Sequence, residues 1–125
     1  MAAADSRVRT CLGYIADDDI QDFFRSADVV VFPFKNTQTS GSLMLAMSYG
    51  CPIIAPRIAT LPEYLDNDMG FLFDPESPGA LEDALDAAAR ASLSSMAVNA
   101  RRRAESMRWD AMARSHLASY QNITD

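Results

Sequence analysis

Val29-Val30-Val31-Phe32-Pro33, then Thr37-Gln38-Thr39-Ser40-Gly41-Ser42, then Leu43-Met44-Leu45-Ala46-Met47-Ser48-Tyr49-Gly50, then Cys51-Pro52-Ile53-Ile54-Ala55-Pro56: these four blocks decide the fold of the chain. The first is a continuous apolar run of strand length, of the kind that lies buried on both faces of a parallel sheet, and Pro33 stops it. The second is a small polar loop. The third carries hydrophobes at helical spacing, and Gly50 separates it from a second buried run that ends at Pro56. Together they predict one βαβ unit with the loop placed where a strand feeds a helix N-terminus.

Backbone N–H groups at such a terminus lack partners and carry roughly half a positive charge, and a Ser-Gly-Ser sequence lets an anion come close. Phosphate is the guest this suits. The same residues also allow a plainer reading, in which Ser40 is an N-cap and Gly41-Ser42 only the first turn.

Working outward, residues 7–13 alternate apolar Val8 and Leu12 with polar neighbours, which predicts a strand. Asp17-Asp18 opens a helix with Ile20, Phe23 and Phe24 turned inward, its acidic start suiting the dipole. Pro62-Glu63-Tyr64-Leu65 predicts a short helical turn, and Gly70-Phe71-Leu72-Phe73 a fourth short strand closed by Asp74-Pro75. Ser77-Pro78 opens a helix with Leu81, Ala84, Leu85 and Ala88 in one apolar stripe. Ser94 or Ser95 begins another that runs to Met107. Trp109-Asp110 leads a last helix with Met112, His116 and Tyr120 near one face. The expected class is α/β: a partial Rossmann-like domain, with a parallel sheet of about four strands flanked by helices and a helical C-terminus. Residues 1–6 read as an unstructured start, with no basic region or apolar stretch of a targeting signal.

At 125 residues the chain holds one domain core, not two Rossmann-like domains of roughly 150 residues each. The net charge of −6 argues against nucleic acid, whose phosphates attract basic faces. Arg101-Arg102-Arg103 is the one basic cluster; it suits a solvated helix face or, alternatively, contact with anionic lipid headgroups. No apolar run reaches the ~20 residues that span a bilayer. Cys11 and Cys51, in predicted strands, read as small buried hydrophobes of a reducing compartment. Two cysteines and one histidine, far apart, make no metal cluster.

Five ordered blocks carry a family resemblance: Leu12-Gly13-Tyr14-Ile15; Ala27-Asp28 leading into the Val29 run; Leu45 through Ala55; Leu61-Pro62-Glu63; and Gly70 through Pro75. In order and spacing they resemble the C-terminal nucleotide-sugar-binding region of family 4 glycosyltransferases with the GT-B fold. Arg108-Trp109-Asp110 is similar to the opening of that family's last helix. The resemblance implies a group 1 glycosyltransferase, residues 7–125 being an incomplete C-terminal donor-binding domain. It further implies a nucleotide-sugar donor, transfer with retention to an acceptor, no cofactor, no metal and a cytoplasmic setting, with peripheral contact at the inner membrane face. The acceptor domain and the start of the donor domain are expected upstream, and the 125-residue chain is expected to be inactive by itself and to self-associate through a strand edge left uncovered.

Two positions depart from the family pattern. The resemblance implies a glutamate beside the transferred sugar and another on the ribose; Thr37 and Leu45 stand there instead. The chain is similar in this to a branch with a Thr-x-x-Ser-Gly loop, which implies that Thr39, Ser40, Gly41 and Ser42 hold the donor diphosphate through hydroxyls and amides. Weaker candidates for the donor base or sugar are Tyr14, Ile15, Lys35, Thr37 and Glu63. Each has a plain alternative: Tyr14 covers core, Lys35 is solvated, Glu63 caps a short helix. No catalytic residue is assigned, and His116 lies in a helix that packs or faces water. Ala59-Thr60 replaces a pair that is often glycine in the family. The competing readings are a GT-B nucleotide-sugar epimerase and a truncated, non-catalytic nucleotide-binding or assembly module.

Overall fold

The computed structural model describes residues 5–124, with side chains through residue 121. Six helices and three strands follow the order α1 (Asp17–Ser26), β1 (Val30–Val31), α2 (Gly41–Ser48), β2 (Ile53–Pro56), α3 (Leu61–Tyr64), β3 (Gly70–Phe73), α4 (Ala80–Arg90), α5 (Leu93–Ser106) and α6 (Trp109–Thr124). The strands form one parallel sheet in the order β1-β2-β3. Val30 pairs with Ile53, and Ile53 through Pro56 pair with Gly70 through Phe73.

Because strand side chains alternate in direction, the sheet has two apolar faces. Ile53 and Ala55 join Leu43, Ala46 and Met47 of α2 and Ala100 of α5 in the larger core, with Val30, Phe32 and Leu72 against it. Ile54 and Phe73 point the other way, onto Ala88 of α4, with Val29, Val31 and Phe71 beside them. Leu43, Met47, Ile53 and Ile54 are wholly buried, each contributing roughly 1.5–3 kcal/mol relative to exposure.

Two glycines fix how the elements meet. Gly50 (φ 73°) ends α2 in a left-handed conformation, donating to Met47 O at 2.9 Å while Cys51 N donates to Ala46 O at 3.0 Å. That pair of bonds satisfies carbonyls the last turn would leave free and turns the chain into β2. Gly70 faces the Ile53 backbone so closely that a Cβ there would overlap the Ile53 carbonyl oxygen and lie 2.9 Å from its carbonyl carbon and nitrogen.

The expected α/β class and parallel sheet hold, but with three strands among the described residues rather than about four. Residues 7–13 form no strand: Val8 is 50% and Leu12 92% exposed, since no neighbouring strand offers them a ladder. Cys11, expected buried, is exposed with them; Cys51 is buried as expected. Residues 1–4 of the expected unstructured start lie outside the described residues, and Asp5 pairs with Arg7 at 2.7 Å. Phe23 and Leu85, expected to face inward, are 46% and 42% exposed; on their helices Phe24 packs on the larger cluster and Leu81, Ala84 and Ala88 on the smaller one instead. The Ser77-Pro78 opening stands two residues before α4; Ser77 instead closes a turn on Asp74, with Oγ donating to Asp74 Oδ2 at 3.0 Å.

Candidate functional site

The carboxyl ends of β1, β2 and β3 lead into three loops on one edge of the sheet, where open α/β sheets hold ligands. The first loop, residues 37–40, ends in the N-cap of α2. Ser40 has extended dihedrals (φ −137°, ψ 108°), and its hydroxyl accepts from Leu43 N at 3.1 Å. Met44 N donates to Ser40 O at 3.2 Å. Two of the four leading amides are thereby used, while those of Gly41 and Ser42 have no acceptor among the described residues. The N-cap reading and the anion reading thus apply to different atoms of one junction. Nothing lies within 4 Å of a Cβ built on Gly41, and its φ is ordinary. The chain's own packing therefore does not require a glycine there.

Two threonines brace this loop. Thr37 Oγ1 donates to Thr39 O at 2.8 Å, and the Thr60 hydroxyl, from the loop after β2, donates to Gln38 O. The Thr37 hydrogen is thus spent within the loop. Ala59, just before Thr60, has φ 46°, the only non-glycine residue with positive φ among those described.

A cavity of about 570 Å³ opens beside the α2 start. Thr39, Ser40 and Gly41 form one wall, and Met44, Leu61, Tyr64, Met107 and Met112 supply most of the rest, with Ser106 and Ser115 adding hydroxyls. No side chain lining it is ionisable at neutral pH. Of the expected diphosphate residues, three line this cavity; Ser42 is exposed and does not. The weaker candidates stay apart from it. Lys35 borders a separate hollow of about 330 Å³ with Phe34, Asp74 and the start of α4. Tyr14 is 88% exposed, so it covers no core, and Ile15 beside it is half-buried. Glu63 is exposed in α3; its backbone oxygen accepts from Arg103 Nη2 at 2.9 Å, and its carboxylate makes no ion pair among the described residues.

Tyr64, Met107, Met112 and Ser115 were not visible as site residues in the sequence, because they converge from three helices that share no motif. The exposed arginine cluster is engaged locally: Arg101 pairs with Glu105 at 3.3 Å, and Arg102 reaches Asn99 at 3.5 Å. His116 is exposed on α6. Burial pushes the Cys51 thiol pKa up, and its Sγ donates to Phe24 O at 3.2 Å. Among the described residues no group of three His, Cys, Asp or Glu side chains is placed to hold a metal, and no helix is long and apolar enough to cross a membrane.

Comparison with known proteins accords with this geometry. Residues 2–90 match the family model of glycosyl transferases group 1. The GDP-mannose:glycolipid 4-beta-D-mannosyltransferase of Xanthomonas campestris pv. campestris is 30% identical over 82 residues, 63% of this chain and 24% of that protein. The sulfoquinovosyl transferase of Arabidopsis thaliana is 36% identical over 76 residues, 57% of this chain and 14% of its own length. O-antigen chain mannosyltransferase B of Escherichia coli is 30% identical over 70 residues, 56% of this chain and 18% of its own length. The chain therefore spans a quarter or less of these relatives. Sucrose-phosphate synthase from Thermosynechococcus elongatus superposes with a TM-score of 0.70 at 24% identity, over 92% of this chain and 30% of that one, which shows a shared fold. The matched blocks, the parallel sheet and that likeness lead to one assignment: this chain belongs to the group 1 glycosyl transferases, with the fold of their GT-B C-terminal part.

Proposed function

We propose that this chain is the donor-binding part of a glycosyltransferase and holds the diphosphate of a nucleotide sugar at the start of α2. The observation that carries the reading is the pair of unpartnered amides on Gly41 and Ser42, beside a cavity and at the carboxyl edge of a parallel sheet. The absence of a side chain at Gly41, which internal packing does not require, leaves the backbone open to a ligand. Thr39 and Ser40 add hydroxyl oxygens, with Lys35, Thr37, Glu63, Tyr14 and Ile15 as outer contacts to base or sugar. In the intact enzyme, preorganised amides at this point stabilise the departing nucleoside diphosphate as the glycosidic bond breaks, without a metal. The configuration is retained, and the acceptor is bound by the rest of the enzyme. The setting is cytoplasmic, with Arg101-Arg102-Arg103 available to anionic lipid. By itself the chain binds donor weakly, transfers nothing and self-associates.

Isothermal titration with GDP, UDP and ADP tests this; GDP comes first because the Xanthomonas relative is named for GDP-mannose. Saturable binding that Gly41→Val weakens, with an unchanged melt, is the expected result. Binding equal in parent and variant, or no binding of any of the three, refutes the assignment.

A second reading, a non-catalytic nucleotide-binding or assembly module, is favoured by two positions. Leu45 is 39% exposed with a side chain that can make no hydrogen bond, and Thr37 donates its hydroxyl to Thr39 O. A transfer assay with the acceptor part supplied separates the two. No observation favours an epimerase, whose sites use carboxylates and histidine that the cavity lacks.

A further inference from the structure

The loop that leads into α2 has little of its own to hold it. Phe32 N to Ile54 O at 2.8 Å is the last bond of the β1–β2 ladder, and Met44 N to Ser40 O at 3.2 Å begins that of α2; between them, residues 33–39 make no backbone–backbone hydrogen bond among the described residues. Phe34 is anchored by stacking on Phe32, with ring centroids 5.3 Å apart, so the slack lies after it. Thr37 Oγ1 to Thr39 O at 2.8 Å is a link inside the loop. Among the described residues, the one hydrogen bond that reaches the loop from another element is that of Thr60 Oγ1 to Gln38 O, across 22 positions of sequence. Thr60 makes this contact in place of a more local one. It is the N-cap of α3, where a threonine hydroxyl ordinarily accepts from its own helix, yet only its carbonyl serves α3, accepting from Glu63 N at 2.9 Å. It is also the third residue of a turn closed by Leu61 N to Ile58 O at 3.1 Å, whose second residue is Ala59 with φ 46°. Turns with positive φ there are dominated by glycine, asparagine and aspartate, and such strain persists only where the surroundings over-determine it. Pro56 and Leu61, wholly buried on either side, supply that rigid support.

We propose that Thr60 is a positioning residue of the donor site: its hydroxyl fixes the Gln38 carbonyl, and with it the path of the chain into Ser40, so that the free amides of Gly41 and Ser42 are aimed before a diphosphate arrives. Thr60 acts through the loop and not on the nucleotide. A loop ordered in advance spares the ligand the entropy of ordering it, which raises affinity without adding a contact. The inference rests on the diphosphate reading given above.

Nitrogen-15 relaxation of the free chain, followed by titration of the same sample with GDP, UDP and ADP, reads loop order and affinity together. Thr60→Val keeps the branched shape and removes the hydroxyl. It should lower the order parameters of the Gln38 to Ser42 amides and weaken nucleotide binding roughly two- to tenfold, the worth of one hydrogen bond. Thr60→Ala should do the same, so that the effect does not depend on the fit of one side chain, and Thr60→Ser, which restores the donor, should return both readings to those of the parent. Binding by the parent that Thr60→Val and Thr60→Ala leave undiminished overturns the proposal while the diphosphate reading stands. Weakening that Thr60→Ser fails to rescue overturns it in favour of a packing role for the methyl group. Weakened binding with unchanged order in the free loop overturns it in favour of direct contact between Thr60 and the nucleotide. No binding of any of the three nucleotides by the parent overturns the diphosphate reading and this inference with it.

Discussion

Gly70→Ala places one methyl group where the β2–β3 pairing leaves no room. The added Cβ would overlap the Ile53 carbonyl oxygen and sit 2.9 Å from two further Ile53 backbone atoms. Ile53 cannot retreat: its side chain is fully buried against α2 and α5, and its strand is held by β1 on the other side. The two strands must therefore part at this register. Overpacking of a well-filled core costs about 1–3 kcal/mol and at times more. The Ile53 N to Met69 O bond, already 3.3 Å, lies at the same point and would go with it, adding about 1 kcal/mol. A loss of about 2–4 kcal/mol is large against the ~5–15 kcal/mol of a natural domain. With a urea slope of about 1–3 kcal/mol/M it moves the midpoint down by roughly 0.7–4 M. Urea titrations followed by far-ultraviolet circular dichroism read this directly, with Gly41→Ala as the control, since its added methyl meets open space. A Gly70→Ala midpoint close to that of the parent would refute the packing argument.

Ala59→Gly should stabilise the chain. Relief of the left-handed conformation at φ 46°, worth about 1–2 kcal/mol, exceeds the ~0.4–1 kcal/mol of extra freedom glycine gives the unfolded chain; a lowered urea midpoint would contradict it. Ser40→Ala removes the cap on Leu43 N and should cost about 1 kcal/mol, read from the same titrations. Burial raises the Cys51 thiol pKa, so the folded chain keeps that proton when the unfolded chain has begun to lose it. The contribution is whole below the ordinary thiol range of about 8.5 and falls as pH rises beyond it. Melting temperatures across alkaline pH should therefore decline more steeply for the parent than for Cys51→Ala. Parallel declines would exclude the linkage.

β2 and β3 were legible as runs because their partners and covering helices all lie within the chain. Residues 7–13 show equally good alternation and still form no strand. A strand is defined by a neighbour's backbone as much as by its own side chains, and no described strand is placed beside Val8 or Leu12. Cys11 went wrong with them for the same reason. At the candidate site, Thr39, Ser40 and Gly41 were readable as consecutive loop residues before a helical pattern. The opposite wall was not, because Tyr64, Met107 and Met112 meet only through the packing of α3, α5 and α6. Nor does spacing reveal that Thr37 turns its hydroxyl to Thr39 O, since loop geometry alone decides that contact.

The unequal cover of the two sheet faces sets the order in which the molecule opens under native conditions. α6 exposes Trp109, Met112, Leu117 and Tyr120, so releasing it uncovers little. α1, none of whose residues is fully sequestered, and α4, with only Ala88 so, on the small cluster with Ile54 and Phe73, come next. β2 and α2 carry most of the larger core, with Ala100 of α5 and Leu61, Leu65 and Met69 packed on it, and they separate only when everything does. A protease acting on the folded chain would therefore trim it from both ends, at residues 7–16 and α1 as well as at α6, and the start of α2, with its two free amides, would be the last functional feature lost.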